Sequence, residues 1–355
     1  MMKDFVYKGL PSRVVFGNGF RAKVAEEAAL LNIKKPMIIC TPFQNEQAEE
    51  VAKYLKSFSP VIYDQAVMHV PVETIQDALK VVKENNIDGF VCIGGGSTIG
   101  LAKALVLELE LPILALPTTF AGSEMTPVWG KTENGVKTTG RDLRVLPKTV
   151  IYDPELTYTL PAHIAGPSGI NAMAHAVEAL YSEQTNPVIS LMAEESIRAL
   201  GKSLLTIVSE PDNKEARSDA LYGAWLASNV LGNVGMALHH KLCHTLGGSF
   251  NLPHGDVHKV ILPYAVYYNC DHAPEAMAAI GRALGVDANQ AASAIYQLSA
   301  KLAGPISLKE LGMSESDLDK AAEIAGKNPY YNPRPVISED IRHILQMAFD
   351  GVEPV

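Results

Sequence analysis

The chain has 355 residues, of which 47% are hydrophobic and 19% charged, so it is long enough to form two domains. A net charge of −9 and a pI near 5.6 argue against nucleic acid as a partner, because phosphate backbones require clustered lysine and arginine. No apolar run approaches the ~20 residues that span a bilayer. The N-terminus has no apolar signal-peptide core, and four widely spaced cysteines are typical of reduced thiols, so we expect a cytoplasmic protein without a membrane partner.

The first half of the chain alternates strand and helix patterns. Its opening segment FVYKGLPSRVVFGNG, residues 5–19, is interpreted as a β-hairpin. Helical patterns such as residues 72–86 carry apolar residues at every third or fourth position. This alternation predicts a mostly parallel sheet that is covered on both faces. The predicted strands are the short apolar runs 36–40, 60–64, 88–95, 112–117 and 149–153.

The second half reads as helical throughout. Strand patterns end near residue 157, and TYTLPAHIAGPS, residues 157–168, is predicted to be a hinge. We therefore expect an α/β nucleotide-binding domain at residues 1–157 and an all-α domain at residues 158–355. The predicted helices cover residues 168–182, 186–207, 214–231, 233–247, 255–270, 273–284, 288–303, 314–326 and 338–349.

Two polar loops follow predicted strands. The sequence IGGGSTIGLAKAL opens a helix with three glycines, which let a backbone approach a phosphate at the helix N-terminus. It matches neither GxGxxG nor the P-loop, and a tight turn would explain the glycines equally well. The loop PTTFAGSEMTPVWG follows the next strand, and such loops converge in an open α/β sheet. The candidate cofactor-binding residues are Gly94, Gly95, Gly96, Ser97, Thr98, Thr118, Thr119 and Ser123.

The helical half contains a regular spacing of possible catalytic side chains. Asn171 and His175 stand four residues apart on one predicted helix, and His240 and His244 do so on another. His254 lies on a predicted loop before the next helix. A single helix histidine is usually an ordinary core or surface residue, but four in this spacing indicate a functional cluster. Neutral imidazole can bind a metal or move a proton near pH 7.

Two further predictions concern the helix that carries His240. Gly247 and Gly248 are expected to end it, since glycine is the usual residue just past a helix terminus. His239 lies about 100° around that helix from His240 and is predicted to face elsewhere.

The order of these motifs resembles a known superfamily. GGGSxxxxAK, PTTxxxSE, Asn/Asp-x-x-x-His, H-x-x-x-H-x-LGG and PHG, in this order, are similar to the iron-containing (group III) alcohol dehydrogenases. The resemblance covers essentially the whole chain. It implies a dehydroquinate synthase-like architecture: an N-terminal Rossmann-like NAD(P)-binding α/β domain and an all-α C-terminal catalytic domain. Because dimers are common in that superfamily, it also implies a homodimer.

Further stretches, among them GVKTTGRD, GINAMAHAVEALYS and HHKLCHTLGGSF, resemble one branch, the maleylacetate reductases. That branch reduces 2-maleylacetate to 3-oxoadipate with NADH or NADPH during bacterial degradation of aromatic compounds. The resemblance implies that hydride adds to the conjugated C=C bond and leaves an enolate. Hydrogen-bond donors can stabilise an enolate without a metal. We expect this role of His175, His240, His244, His254 and Asn171, with His244 as the first candidate for the proton donor.

Two departures from the superfamily pattern bear on cofactors. Metal-binding members have Asp where this chain has Asn171, which offers only a neutral oxygen. A metal is therefore not expected to be required; if one binds, the resemblance implies His175, His240 and His254 as ligands. Thr41 and Pro42 stand where many members carry an Asp that repels a 2′-phosphate, so we expect use of both NADH and NADPH.

The implied substrate is a small keto dicarboxylate, which requires local positive charge in an acidic protein. Lys137 and Arg141 are the candidates, although solvated surface charges would look the same. Two other functions stay open. One is a metal-dependent alcohol or polyol dehydrogenase of the same superfamily, and the other is a nucleotide-binding protein without catalytic activity.

Overall fold

The structure, a computed structural model, describes residues 4–355 and divides into two compact units. The α/β unit comprises Gly9–Leu160, and the helical unit comprises Pro161–Val355 together with residues 4–8. The division lies inside the segment predicted as a hinge, a few residues after the expected domain boundary at 157. The α/β fold of the first half and the all-α fold of the second are confirmed.

The α/β unit consists of eight strands and four α-helices within the described residues. In chain order they are β1 (Arg13–Phe16), α1 (Val24–Leu30), β2 (Pro36–Ile39), α2 (Asn45–Tyr54), β3 (Val61–Tyr63), α3 (Val72–Asn85), β4 (Gly89–Gly94), α4 (Gly96–Leu109), β5 (Ile113–Pro117), β6 (Val128–Glu133), β7 (Val136–Arg141) and β8 (Thr149–Tyr152).

Six parallel strands form the main sheet in the order β1-β8-β5-β4-β2-β3. Both faces of this sheet are buried, as the continuous apolar runs predict. Along β4, Phe90 and Cys92 pack into one core with residues of α3 and α4, whereas Val91 and Ile93 pack into a second core with residues of α1 and α2. Because side chains alternate along a strand, β4 contributes residues to the hydrophobic cores on both faces of the sheet.

The predicted N-terminal hairpin is wrong. Only Arg13–Phe16 forms a strand in that segment, and β1 pairs in parallel with β8 at the sheet edge. The antiparallel hairpin of this unit is β6–β7, joined by Asn134 and Gly135 with φ of 50° and 76°. Asn-Gly is the strongest short hairpin signal, because both residues tolerate positive φ. That region was predicted to be a loop, and the prediction is wrong.

The helical unit contains nine α-helices within the described residues. They are α5 (Ala162–Leu180), α6 (Pro187–Ser209), α7 (Lys214–Asn233), α8 (Leu238–Phe250), α9 (His254–Asn269), α10 (Pro274–Leu284), α11 (Ala291–Lys301), α12 (Leu318–Gly326) and α13 (Ser338–Asp350). Within residues 4–355, none of the helices combines the length and the apolar character needed to cross a membrane.

Helix α5 lies at the centre of this unit and is buried from Gly169 to Leu180. It packs against α6, α7 and α9. The predicted hinge at 157–168 is wrong in its second half, because α5 begins at Ala162 after Pro161 at the N-cap. Proline is tolerated at such a helix start, so Pro161 did not mark a loop, and Pro167 lies inside the helix itself.

The predicted end of α8 at Gly247 and Gly248 is also wrong. The helix continues to Phe250, and Asn251 ends it in the left-handed conformation with φ of 52°. Asparagine accepts this conformation more readily than other non-glycine residues, so it can replace the C-terminal glycine. His254 is the first residue of α9 rather than a loop residue.

Candidate active site

The strand order of the α/β unit reverses between β2 and β4. From β2 the chain moves outward to β3 and then crosses to β4 and β5 on the other side. In open α/β sheets, ligands bind at such a switch point, outside the carboxyl ends of the strands. The candidate residues Thr41 and Pro42 follow β2, and Gly95 and Gly96 follow β4. The topology therefore brings these two predicted groups to one edge.

Helix α4 opens without a side-chain cap. Gly95 is the N-cap in extended conformation, so no side chain accepts from the first backbone N–H groups, which include those of Ser97 and Thr98. A Cβ on Gly95 would lie 2.7 Å from Oγ1 of Thr119, whereas a Cβ on Gly96 would meet no protein atom within 4 Å. Open space thus lies before a bare helix N-terminus, which fits a phosphate.

Hydrogen bonds link the ends of the three strands. The Thr41 hydroxyl donates to Oε1 of Gln44 at 2.9 Å, and Nε2 of Gln44 donates to Oγ1 of Thr118 at 2.6 Å. The backbone N–H of Thr118 donates to the carbonyl of Gly94 at 3.3 Å. Thr41, Gly94 and Thr118 were predicted from separate motifs, and the structure joins them through Gln44, which the sequence analysis did not single out.

Lys103 fixes the loop after β5 and was also missed as an individual residue. Its ammonium group is fully buried and donates to the carbonyls of Ser123, Thr126 and Val128 at 2.6–2.8 Å. Burial lowers its pKa to about 7, an effect that Glu124 partly offsets. Since Lys103 lies two turns into α4, it ties the Ser123 loop to the helix that begins with the glycines.

Lys137 and Arg141 lie on β7 of the hairpin, not on a loop. Both side chains are exposed, as are Val136, Thr138 and Thr139. Side chains of a strand alternate between its two faces, so Lys137 and Arg141, four residues apart, lie on the same face of the hairpin. Their role in substrate binding stays a prediction.

In the helical unit, one face of α5 carries Asn171, His175 and Glu178. All three are buried, with exposed fractions of 8%, 4% and 0%. Oδ1 of Asn171 and Nδ1 of His175 have no hydrogen-bond partner among the described residues. Unpartnered buried polar atoms are costly, and they concentrate where a ligand completes the bonding.

The four predicted histidines form one connected cluster in which His258 links His254 to the other three. The rings of His175 and His240 stack with centroids 4.7 Å apart, and the ring of His244 meets that of His240 edge-on at 6.1 Å. His254 joins through His258, whose ring lies 4.4 Å from that of His254 and 5.0 Å from that of His240. The structure therefore brings all four predicted histidines into one cluster.

Two residues that the sequence analysis missed contact this cluster. Glu178 accepts from the backbone N–H groups of Ala237 and His239 at 2.8 and 2.6 Å, and its Oε2 lies 2.7 Å from Nδ1 of His240. Tyr330 contacts His244, with its hydroxyl 3.0 Å from Nδ1 of that ring. The spacing of Glu178, three residues after His175, was the one signal that could have identified it.

His239 belongs to an inner cluster. It is fully buried, and its Nε2 lies 2.9 Å from Nδ1 of His258 and 3.6 Å from Sγ of Cys243. Burial raises the pKa of the Cys243 thiol well above its ordinary value, so the sulfur stays protonated. We interpret His239, Cys243 and His258 as a hydrogen-bonded group of fully buried side chains. The four cysteines of the chain are all free thiols.

Burial also determines the charge of the imidazoles. It lowers the pKa of His175 and His240 well below the ordinary value, and neighbouring histidines lower it further. The same cause lowers the pKa of His239 and His258. These four rings are neutral at pH 7. Burial raises the pKa of Glu178, while His239 and the backbone N–H donors act in the opposite direction.

The candidate metal ligands do not gather around one point. Within residues 4–355, His239, Cys243 and His258 are the one group of three His, Cys, Asp or Glu side chains whose ligand atoms all lie within 4.8 Å of one another. His175, His240 and His254 do not form such a group, and Asn171 adds no negative oxygen. These residues therefore lack the convergent ligand atoms and the negative oxygen that a hard divalent cation prefers.

Comparisons with known proteins agree with both units. Residues 11–154 match the family profile described as iron-containing alcohol dehydrogenase, and residues 166–349 match the C-terminal profile of the Fe-containing alcohol dehydrogenase family. The chain is 51% identical to a maleylacetate reductase of Sphingobium indicum, over 99% of both chains. It is also similar to the crystal structure of maleylacetate reductase from Agrobacterium tumefaciens, with 45% identity, a TM-score of 0.96, and coverage of 99% of this chain and 100% of that one.

The class follows from the two units: a parallel sheet with an uncapped helix start at its switch point and a helical unit with a buried histidine cluster are typical of a nucleotide-dependent oxidoreductase. The profile matches make the assignment specific. The chain belongs to the iron-containing alcohol dehydrogenase family.

Proposed function

We propose that this protein is a maleylacetate reductase that uses NADH or NADPH to reduce 2-maleylacetate to 3-oxoadipate. One observation carries the proposal: buried, neutral imidazoles on the same face as Asn171, a position for which the resemblance implies a carboxylate in metal-binding members. Eight relatives that carry the name maleylacetate reductase are 44–51% identical to this chain over 99% of its length, which supports the same substrate.

The nucleotide, when bound, supplies the hydride. Residues of the α/β unit hold it: the N–H groups at the start of α4 bind its phosphates, and Thr41, Gln44 and Thr118 maintain the strand ends beside them. Lys103 keeps the Ser123 loop in position. Neither Thr41 nor Pro42 carries a negative charge that would repel a 2′-phosphate, which supports use of both nucleotides.

The substrate requires stabilisation of an enolate. Hydride adds to the alkene carbon remote from the ketone, negative charge develops on the ketone oxygen, and a proton then binds the adjacent carbon. The side-chain amide of Asn171 and a protonated ring nitrogen of His175 can donate to the developing oxyanion from buried positions, and Nε2 of His240 is likewise buried without an internal partner among the described residues. His244, which is exposed and paired with Tyr330, is our proposed proton donor, and His254 completes the polar lining. Lys137 and Arg141 supply positive charge for the two carboxylates.

An enolate spreads its charge over oxygen and carbon, so it depends less on a Lewis acid than a localised alkoxide does. We therefore propose that catalysis requires no metal. We further propose that the protein acts as a cytoplasmic homodimer, as is common in the superfamily that its motifs resemble.

The test is an assay of NADH and NADPH oxidation with 2-maleylacetate, run before and after chelation. We expect one nucleotide oxidised per 3-oxoadipate formed, and the same rate after chelation. Activity on alcohols that depends on a stoichiometric metal would favour the alternative dehydrogenase. Nucleotide binding without oxidation in the presence of any enone or carbonyl compound would favour the non-catalytic alternative.

A further inference from the structure

We propose that Glu178 is a positioning residue that fixes the ring and the tautomer of His240. The inference deepens the proposed function, on which its kinetic part rests. Glu178 is fully buried on α5 and faces the start of α8, where its carboxylate contacts both the backbone and the His240 ring.

The hydrogen bonds determine where the proton of the pair lies. Oε1 accepts from the backbone N–H of His239, and Oε2 accepts from that of Ala237. Both oxygens therefore already act as acceptors, and they lie at a helix N-terminus, which favours a negative carboxylate. Oε2 then accepts a third hydrogen, the one on Nδ1 of His240, at 2.7 Å.

A neutral imidazole protonated at Nδ1 carries a lone pair at Nε2. In this structure Nε2 of His240 is buried and has no partner among the described residues. The ring also stacks on His175, whose Nδ1 is likewise without a partner. Glu178 thus holds Nδ1 of His240 by a short hydrogen bond. Nε2, on the other edge of the ring, is left without a partner among the described residues.

Replacement by glutamine tests the tautomer directly. In Glu178→Gln, the amide oxygen can still accept from the start of α8, but the amide nitrogen donates to Nδ1 of His240. The bond is inverted, and the hydrogen moves to Nε2. We expect kcat for maleylacetate to fall about 10-fold or more, because the active-site ring is then held in the wrong tautomer. KM for NADH should change less than twofold.

A merely structural role predicts a different pattern. Asn213 caps α7 by accepting from the backbone N–H of Ala216, so Asn213→Ala is a matched control that loses a helix cap without touching His240. It should lower Tm and leave kcat unchanged. If Glu178 acts through His240, the cost of Glu178→Gln should shrink below twofold in a His240→Asn background. An equally large loss in both backgrounds would overturn the proposal.

Nitrogen-15 NMR of the imidazoles gives a readout that needs no substrate, and its first arm, on the unaltered protein, needs no variant. We expect the hydrogen of His240 at Nδ1 in the unaltered protein, and at Nε2 in Glu178→Gln. A hydrogen at Nε2 in the unaltered protein would refute the positioning role. A hydrogen at Nδ1 in a protein that does not reduce maleylacetate would support the positioning of His240 while the proposed function fails.

Discussion

Asn171 places a neutral amide on the same face of α5 as His175. Its side chain is 8% exposed, and its Oδ1 has no internal partner. In the proposed function, a carboxylate at this position would add negative charge where a dianionic substrate binds, unless a cation neutralised it. The neutral amide avoids that repulsion and still offers both a donor and an acceptor. One atom type at one position thus separates two ways of stabilising a developing oxyanion.

The variant Arg141→Ala tests whether this side chain supplies the positive charge that binds the substrate. If its guanidinium binds a substrate carboxylate, loss of a charge-assisted hydrogen bond costs about 1.5–3 kcal/mol, which corresponds to a rise in KM of tenfold or more. We expect that rise for maleylacetate and a change below twofold for NADH. Steady-state kinetics with each substrate varied in turn provide the measurement.

The matched control for Arg141 is Arg144→Ala. Arg144 is also exposed, and its guanidinium already pairs with Asp142 and Glu110 at 2.6 and 3.1 Å. Its removal should leave KM for the diacid unchanged. A similar KM in all three proteins would exclude Arg141 from substrate binding.

The relevant element for the nucleotide is the first turn of α4. A methyl group on Gly96 would meet no protein atom within 4 Å, and the residue lies at the first helical position. Gly96→Ala should therefore leave Tm unchanged or slightly raised, because alanine is the better helix former. If a phosphate occupies the space before the helix, however, the same methyl group obstructs it, and we expect KM for NADH to rise about tenfold or more.

Gly248→Ala controls for the added methyl group, since it too enters open space from an exposed helical position. It should leave KM for NADH unaltered. Calorimetry and initial-rate kinetics on the two variants separate stability from binding. An unaltered KM in Gly96→Ala would mean that the phosphate binds elsewhere.

The difference between predicted and observed elements has physical causes. Parallel strands buried on both faces are continuous apolar runs, so β2, β4 and β5 were predictable from local sequence. The edge strand β1 was mistaken for part of a hairpin, because nothing local reveals that its partner lies more than 130 residues away. The ends of α5 and α8 were missed because Pro161 is the N-cap of a helix rather than part of a loop, and because Asn251 takes the place of the expected glycine at a helix C-terminus.

The candidate site shows the same limit. Helical spacing was enough to relate Asn171 to His175 and His240 to His244. It could not show that His239 contacts His258, or that Glu178 reaches the start of α8, because those contacts join separate helices. Lys103 was part of a recognised motif, but its role could not be predicted, because its three carbonyl partners lie on a loop 20–25 residues further along the chain.

For the whole molecule, the buried histidines predict how stability depends on pH. Burial holds the pKa of His175, His239, His240 and His258 below the unfolded value of about 6.5. The unfolded chain therefore binds more protons below that pH, and stability rises with pH through this range. The stabilisation is complete above about pH 7 and is lost progressively as the pH falls below about 6.5 towards the lower pKa values of the folded rings. We expect Tm to fall by several degrees between pH 7.5 and 5.5.

Replacement of one buried ring provides the check. His258→Asn should reduce the slope of Tm against pH, whereas His163→Asn, at an exposed position, should not. Differential scanning calorimetry at closely spaced pH values gives both slopes. A flat Tm over this interval would contradict neutral burial of the four rings.

The pairing of β1 with β8 has a consequence for synthesis. The first strand made and the last one lie side by side at the sheet edge, in register from Arg13 opposite Thr149 to Phe16 opposite Tyr152. While a ribosome is still translating the intervening segment, β1 has no neighbour, and its backbone groups must stay hydrated or be shielded by a chaperone. The α/β unit therefore reaches its native hydrogen bonding only after Tyr152 has emerged from the exit tunnel.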